Sequence, residues 1–355
     1  MVNRIEHIDI AKGISITLVA IFHSKLKIFF PGFMEAMSLF RMPLFFFLSG
    51  VFFSWSLPPK KYILKKSESL LKPYFVVLLF LLLIDFILIG DDLLWTFKGI
   101  FYGNGDTIDW TPLWFLTHLF LVYFTVYFAF RFLKFESASM IYKCVLLFIL
   151  MVVGSSYIDY FWYNDIEIFG YMVNVPGLPF SLDLIFITSV YFTCGYLFRS
   201  KLTVFSPNIF LVVLFAIVFM YVCMFTDSHI NLNIRIYENP FFATLGAISG
   251  IYIIISLSFM IAKSKILSFV PLRLGEASLY ILIFHSYIQN TFYSYFSVNV
   301  VESEGLLLVA FISCVLSVTL PLIIKWFVLR NDYLALAFIP FKSNKLLQLS
   351  NHVQR

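Results

Sequence analysis

The chain has 355 residues, of which 61% are hydrophobic, 20% aromatic and only 13% charged, with a mean hydropathy of +0.92. A water-soluble domain carries about 45–50% apolar and about 25% charged residues, so a purely aqueous fold is excluded and the length is read in membrane crossings of ~20 residues each. The net charge of +5 is no sign of nucleic-acid binding, because the basic residues are distributed by loop and not clustered on one segment.

Taken in chain order, the apolar runs place crossings at 9–30, 39–57, 73–90, 112–133, 140–158, 178–198, 204–225, 241–262, 276–297 and 306–329. The first contains His23 and has no small-residue cleavage site, so it reads as a retained helix and not a signal peptide. The second opens on Arg41 and Pro43. Gly246 and Gly250 form a GxxxG in the eighth, which allows a second helix close approach. Cys144, Cys194, Cys223 and Cys314 lie inside apolar runs without CxxC spacing. They are expected to be small packing residues, with neither a disulfide framework nor a metal site.

Positive charge orients the crossings. With the N-terminus cytoplasmic, the inner segments hold Arg4 and Lys12, then Lys60, Lys61, Lys65, Lys66 and Lys72, then Arg131, Lys134 and Lys143. They continue with Arg199 and Lys201, with Lys263, Lys265 and Arg273, and with Lys325, Arg330, Lys342, Lys345 and Arg355. Of the basic residues only Lys25, Lys27, Arg41, Lys98 and Arg235 fall outside, where Asp91, Asp92, Asp106, Asp109, Asp159, Asp165, Glu167, Asp227, Glu302 and Glu304 gather. The expected fold is therefore all-α: a polytopic membrane bundle of about ten transmembrane helices with both termini cytoplasmic. Residues 1–330 form its transmembrane domain and 331–355 a short cytoplasmic tail.

Ionisable groups inside crossings are costly and point to function. Asp9, Lys12 and His23 lie on the first. Eleven residues at 100° each bring Lys12 and His23 onto one helix face, ~16 Å apart along the axis, with His23 the deeper, past the midplane. Lys12 alone would also fit a positive-inside anchor, and a lone His23 would also fit a snorkelling side chain. Arg41 enters the second crossing from the outer side, at the level that His23 approaches. Its planar donor fork suits a phosphate, a carboxylate or a developing oxyanion, and a lipid-headgroup anchor is the alternative. Ser278, His285 and Gln289 share a face of the ninth crossing. Trp114 and His118 are spaced i, i+4 on the fourth. Asp85 and Asp183 are candidates to orient an imidazole, though sequence does not say which helices touch.

The segments that hold these residues resemble the acyltransferase-3 family. Arg4-Ile5-Glu6-His7-Ile8-Asp9-Ile10-Ala11-Lys12-Gly13-Ile14, with His23-Ser24 after it, is similar to the family opening, in which an Arg stands where Lys12 stands here. Arg41 to Gly50 resembles the second-helix signature, Pro112-Leu113-Trp114-Phe115-Leu116 the fourth-helix segment, and Gly275-Glu276-Ala277-Ser278-Leu279-Tyr280 followed by His285 a late helix. The resemblance runs from the N-terminus to about residue 330. It implies a multi-pass protein of the bacterial cytoplasmic (inner) membrane, with His23 catalytic and Arg41 essential. It further implies an acyl-CoA, usually acetyl-CoA, as donor substrate, and a cell-surface or lipid-linked sugar as acceptor. No fused esterase-like step is expected.

On that reading the protein is an O-acyltransferase of surface polysaccharide, partnered by acyl-CoA, a glycan acceptor and membrane lipid, with no nucleic acid, no metal and no bound cofactor. His23 would act as general base on the sugar hydroxyl and Arg41 would meet the oxyanion. Lys12, Asp9, Trp114, His118 and His285 would bind substrate. Direct transfer and an acyl-His23 intermediate both fit. The competing readings are a flippase or exporter of lipid-linked sugars, or a sensor or channel scaffold without chemistry. Oligomeric state, acceptor sugar and acyl chain are left open.

Overall fold

The computed structural model describes residues 5–88, 93–168 and 170–340. Arg4, Lys342, Lys345, Arg355, Asp91 and Asp92 of the charge pattern lie outside them. In chain order the helices are α1 (Glu6–His23), α2 (Pro31–Val51), α3 (Pro59–Lys66), α4 (Lys72–Leu88), α5 (Leu93–Tyr102), α6 (Trp114–Phe132) and α7 (Met140–Ser156). After an antiparallel hairpin of β1 (Trp162–Ile168) and β2 (Tyr171–Pro176) come α8 (Ile185–Thr203) and α9 (Ile209–Phe225). A second small antiparallel pair, β3 (Ile230–Asn231) and β4 (Ile236–Tyr237), precedes α10 (Pro240–Ala262), α11 (Lys265–Glu276), α12 (Ser278–Ser297), α13 (Ser303–Arg330) and α14 (Asp332–Phe338). The chain divides into two compact units, residues 1–52 with 190–324 and residues 53–189 with 325–355.

The protein is an all-α, multi-pass membrane bundle. Six helical stretches among the described residues are long and apolar enough to cross a bilayer: 31–51, 59–87, 111–132, 179–203, 240–262 and 303–330. The pair α11–α12, bent by 81°, makes a seventh if counted as one span, and α7 and α9 are apolar but shorter. The exposed large hydrophobics that cover these helices, such as Phe80, Phe148, Phe210 and Phe241, suit a solvent of lipid chains and not water.

Two crossings differ from the sequence reading. The first helix ends at His23 and not at residue 30. There Ser24 turns extended (φ −78°, ψ 163°) and its hydroxyl accepts from Leu26 N–H, starting a 3₁₀ turn over Lys25–Ile28. The second helix begins at Pro31, eight residues before the expected start, and ends at Val51. Pro31 occupies the first helical position, where its missing N–H and fixed φ cost nothing. Gly32, Glu35 and Ser38 interrupt the apolar run and hide the opening turns from a hydropathy reading. Arg41 therefore lies mid-helix, ~15 Å from the N-terminal end at 1.5 Å per residue, and Pro43 is interior to α2 and not near its start. Arg235, expected as an outer-loop charge, is buried within the β3–β4 turn, where its Nη1 donates to Asn233 O at 2.7 Å. Cys144 and Cys223 are exposed, against the expectation that all four cysteines pack inside, whereas Cys314 is buried.

In the first unit α1 packs hardest against α11, α10, α2 and α12. Small residues set the approach. A Cβ placed on Gly13 would lie 1.9 Å from Pro271 O, and one on Gly275 would lie 2.6 Å from Asp9 O, so α1 and α11 touch backbone to backbone. The GxxxG of α10 instead makes room for a side chain of α2: a Cβ on Gly250 would strike the Phe40 ring at 2.4 Å. Overpacking a tight core costs about 1–3 kcal/mol, more where backbone is the obstacle. Gly13→Val should therefore lower the melting temperature in detergent by several degrees or abolish monodisperse protein. Gly32→Ala, which meets nothing within 4 Å, should leave it unchanged.

Candidate active site

The first unit gathers three of the residues singled out from sequence. His23 ends α1 and is half-buried. His285 of α12 is fully buried, and the two imidazoles meet edge to face with ring centroids 5.2 Å apart. Arg41 of α2 is 4% exposed, and its guanidinium carbon stands 3.4 Å from the centre of the Phe22 ring. Phe22 directly precedes His23 and meets its ring at 84°. The charges of Arg41 and Lys27 both act on His23, and Arg41 acts on His285.

Hydrogen-bond chemistry assigns the His285 tautomer. Its Nδ1 lies 2.7 Å from Ile281 O and 3.0 Å from Leu282 O. Carbonyl oxygens only accept, so Nδ1 carries a proton. In a neutral ring Nε2 is then a bare acceptor, and it is buried without a partner. Nearby donors are in the opposite condition: Nε and Nη1 of Arg41 are buried and unpartnered. One turn beyond His285, Gln289 is 2% exposed with both amide atoms unpartnered. Each orphaned buried polar group costs about 1–3 kcal/mol, and more when charged, so such a concentration in one place is not packing for stability. It is an arrangement of donors and acceptors that a polar guest would satisfy.

An apolar shell holds it. Leu26, Met34, Met37, Ala310 and Cys314 form a buried cluster against which Phe22, Phe29, Phe40, Tyr293 and Leu307 pack. The 3₁₀ turn after His23 contributes Leu26 to it, so the early end of α1 is what folds this shell beside the imidazole. Lys25 lies 5.8 Å from the Tyr293 ring centre.

Lys12 and Asp9 are half-buried, about three to four turns below His23, where α1 crosses α11 at Gly13. Trp114 and His118 belong to α6 in the second unit. Both are buried, with ring centroids 5.7 Å apart. His118 has a partner at each ring nitrogen: Phe180 O at 3.1 Å from Nδ1 and Thr188 Oγ1 at 3.0 Å from Nε2. Asp183, considered as an imidazole partner, accepts the N–H of Leu178 at 3.2 Å and so braces the turn before α8. Among the described residues no group of three or more His, Cys, Asp or Glu side chains could hold a metal ion. Phe22 was not singled out from sequence, because a phenylalanine among 45 carries no signal until a guanidinium is found on its face.

Residues 5–326 match the family model described as an acyltransferase domain, Acyl_transf_3. The chain belongs to the acyltransferase-3 family. The match spans both units and all the site residues above, and it makes the protein a membrane acyltransferase. No curated protein and no solved structure matches the chain significantly.

Replacing an orphaned amide by an apolar side chain of similar size removes a desolvation cost without opening a cavity. Gln289→Leu should therefore hold or raise the melting temperature of the purified protein, by up to several degrees. A clear fall would mean that the amide is satisfied structurally.

Proposed function

We propose that the protein moves an acyl group, acetyl in the simplest case, from acyl-CoA to a hydroxyl of a cell-surface or lipid-linked sugar. The observation that carries this reading is the juxtaposition of His23, His285 and the buried Arg41 with unpartnered donors and acceptors turned on one another's neighbourhood. A sugar alcohol is a poor nucleophile until a base takes its proton, and an imidazole is the side chain that does so near neutral pH.

In the proposed reaction His23 takes the hydroxyl proton as the alcohol oxygen attacks the thioester carbonyl carbon. The carbonyl electron pair moves onto its oxygen, where Arg41 Nε and Nη1 donate to the developing oxyanion. Collapse expels the thiolate, which receives the proton from His23, leaving an ester and free coenzyme A thiol. Phe22 stacks on the guanidinium and fixes its plane, a cation–π contact worth up to about 2 kcal/mol when desolvated. His285 Nε2, an acceptor of fixed tautomer, and Gln289 position the substrate. Lys12 and Asp9, lower on α1, and Trp114 and His118 on α6 are assigned to substrate binding.

The topology that this chemistry needs has the N-terminus and the C-terminus both on the cytoplasmic side of the bacterial inner membrane and about ten crossings, α1 among them. The biased distribution of Lys and Arg supports it. Donor would then arrive from the Lys12 side and acceptor from the opposite one.

The test is release of free thiol from acetyl-CoA by protein in nanodiscs, supplied with surface glycan extracted from the host cells. General-base catalysis contributes about 10²–10⁴-fold, so His23→Ala should lose at least 10²-fold in kcat while remaining folded. Full activity in that variant would remove the mechanism. Arg41→Lys keeps the charge but not the fork and should fall at least tenfold in kcat with KM for the donor little changed. A flippase of lipid-linked sugar would move its cargo and release no thiol.

A further inference from the structure

The second unit has its own cleft, none of whose lining residues takes part in the reaction proposed above. It holds about 490 Å³ and is lined by α5, the loop 103–110 and the β1–β2 hairpin, within the range of ~300–1,000 Å³ usual for small-molecule sites. Its chemistry is mixed: the rings of Trp95, Tyr102 and Tyr163 alternate with Asp106, Asp109, Asn174 and the single cation Lys98.

Trp95 is 77% exposed, and an exposed tryptophan on a membrane protein is first a candidate for the interfacial belt. The helix geometry argues otherwise. At 100° per residue, Leu94, Phe97 and Phe101 fall on one face of α5, and all three are exposed apolar residues. Trp95, Gly99 and Tyr102 lie together on a second face, about 130° round from the first, and it is this face that lines the cleft. The lipid-seeking side of α5 is thus already supplied, and the indole lies on the other.

The walls are built, not fluid. A Cβ on Gly99 would lie 2.0 Å from Thr107 O, so the loop lies flush on the helix. Asn104 Oδ1 accepts from the N–H groups of Asp106 and Thr107, each at 3.0 Å, and its Nδ2 donates to Pro176 O at 2.5 Å. Tyr102 OH donates to Gly177 O at 2.5 Å, tying α5 to the end of the hairpin. On the far wall a bulge between Trp162 and Asp165 puts Tyr163 at φ +55°, a conformation costly for an aromatic residue and characteristic of functional positions. That twist directs its hydroxyl to the Asp106 carboxylate, to which it donates. The bond holds the Tyr163 phenol above its ordinary pKa, with slight burial adding to the effect. Asn174 spans the strands, donating to Tyr163 O and Asp165 Oδ1, each at 3.0 Å.

We propose that this cleft binds a pyranose unit of the carbohydrate acceptor, with Trp95 as the stacking platform and Asp106, Asp109, Asn174 and Tyr163 as hydroxyl partners. The chemistry fits a sugar ring. Its axial C–H groups are weakly positive and meet the negative face of an indole, while its hydroxyls donate to carboxylates in the stronger, charge-assisted kind of hydrogen bond. The proposal rests on the sugar-acylating reading above and adds to it a docking point on residues that the transfer step does not touch.

The test uses the full chain in nanodiscs and saturation-transfer NMR with three neutral tetrasaccharides: maltotetraose, cellotetraose and β-1,4-galactotetraose. Saturation should reach the axial ring protons of at least one. It should fall at least tenfold in Trp95→Ala and in Asp109→Asn, return in Trp95→Tyr, and persist in His23→Ala. No transfer from any of the three, or transfer unchanged in Trp95→Ala, overturns the proposal. So does displacement by glycerophosphoglycerol, which would make the cleft a lipid-headgroup site. Trp95→Tyr guards against a variant that has merely unfolded. Failure of the two ideas is separable. Sugar binding without any thiol release from acetyl-CoA sinks the transfer chemistry and leaves the cleft. Thiol release with an unaltered acceptor KM in Trp95→Ala sinks the cleft and leaves the chemistry.

Discussion

A guanidinium in the middle of an apolar helix is the constraint from which the first unit is organised. Arg41 lies among Met37, Leu39, Leu44 and other buried residues of α2, almost wholly removed from solvent. An ionised group in such a place costs several kcal/mol unless something faces it. The Phe22 ring supplies one face. Among the described residues no carboxylate forms an ion pair with it, and two of its donors have no partner. A bundle selected only for stability would place an apolar side chain there. In the proposed reaction that cost would be offset when negative charge develops beside the guanidinium.

The neighbours repeat the pattern. His285 spends one nitrogen on its own helix and keeps the other bare, and Gln289 has neither amide atom engaged. His23 stands at a helix end, where Ser24 breaks away into a short 3₁₀ turn. These groups come from α1, α2 and α12, so their spacing depends on how closely those helices run. The glycine contacts fix that approach, against backbone where α1 meets α11 and against the Phe40 side chain where α10 meets α2. Close packing around an unsatisfied polar centre is how a site is kept in register without being used up by its own hydrogen bonds.

The second unit shows the converse economy. His118 is satisfied at both nitrogens, and the loop 103–110 is sewn to α5 and to the hairpin by Asn104, Thr107 and Tyr102. There the polar groups that remain open to solvent line a cleft and are not sealed in a core. One unit thus carries orphaned groups suited to transfer chemistry. The other carries a braced surface of aromatic, acidic and basic side chains suited to recognition.

Composition and charge were enough to read an all-α membrane bundle, because a bilayer imposes a length and an apolarity on each crossing that no other context demands. Order and spacing of Lys12, His23, Arg41, Trp114 and His285 were enough to read the family, since those motifs survive as strings of residues. Helix ends were not legible where polar residues interrupt an apolar run, which is why α2 began earlier and placed Arg41 deeper than hydropathy implied. Nor was the meeting of His23 with His285, which are 262 positions apart in the chain, or the stacking of Phe22 on Arg41. Hydropathy and motifs are local along the chain, whereas an orphaned donor, a shared face and a 5.2 Å ring contact exist only between helices, and only the tertiary structure decided them.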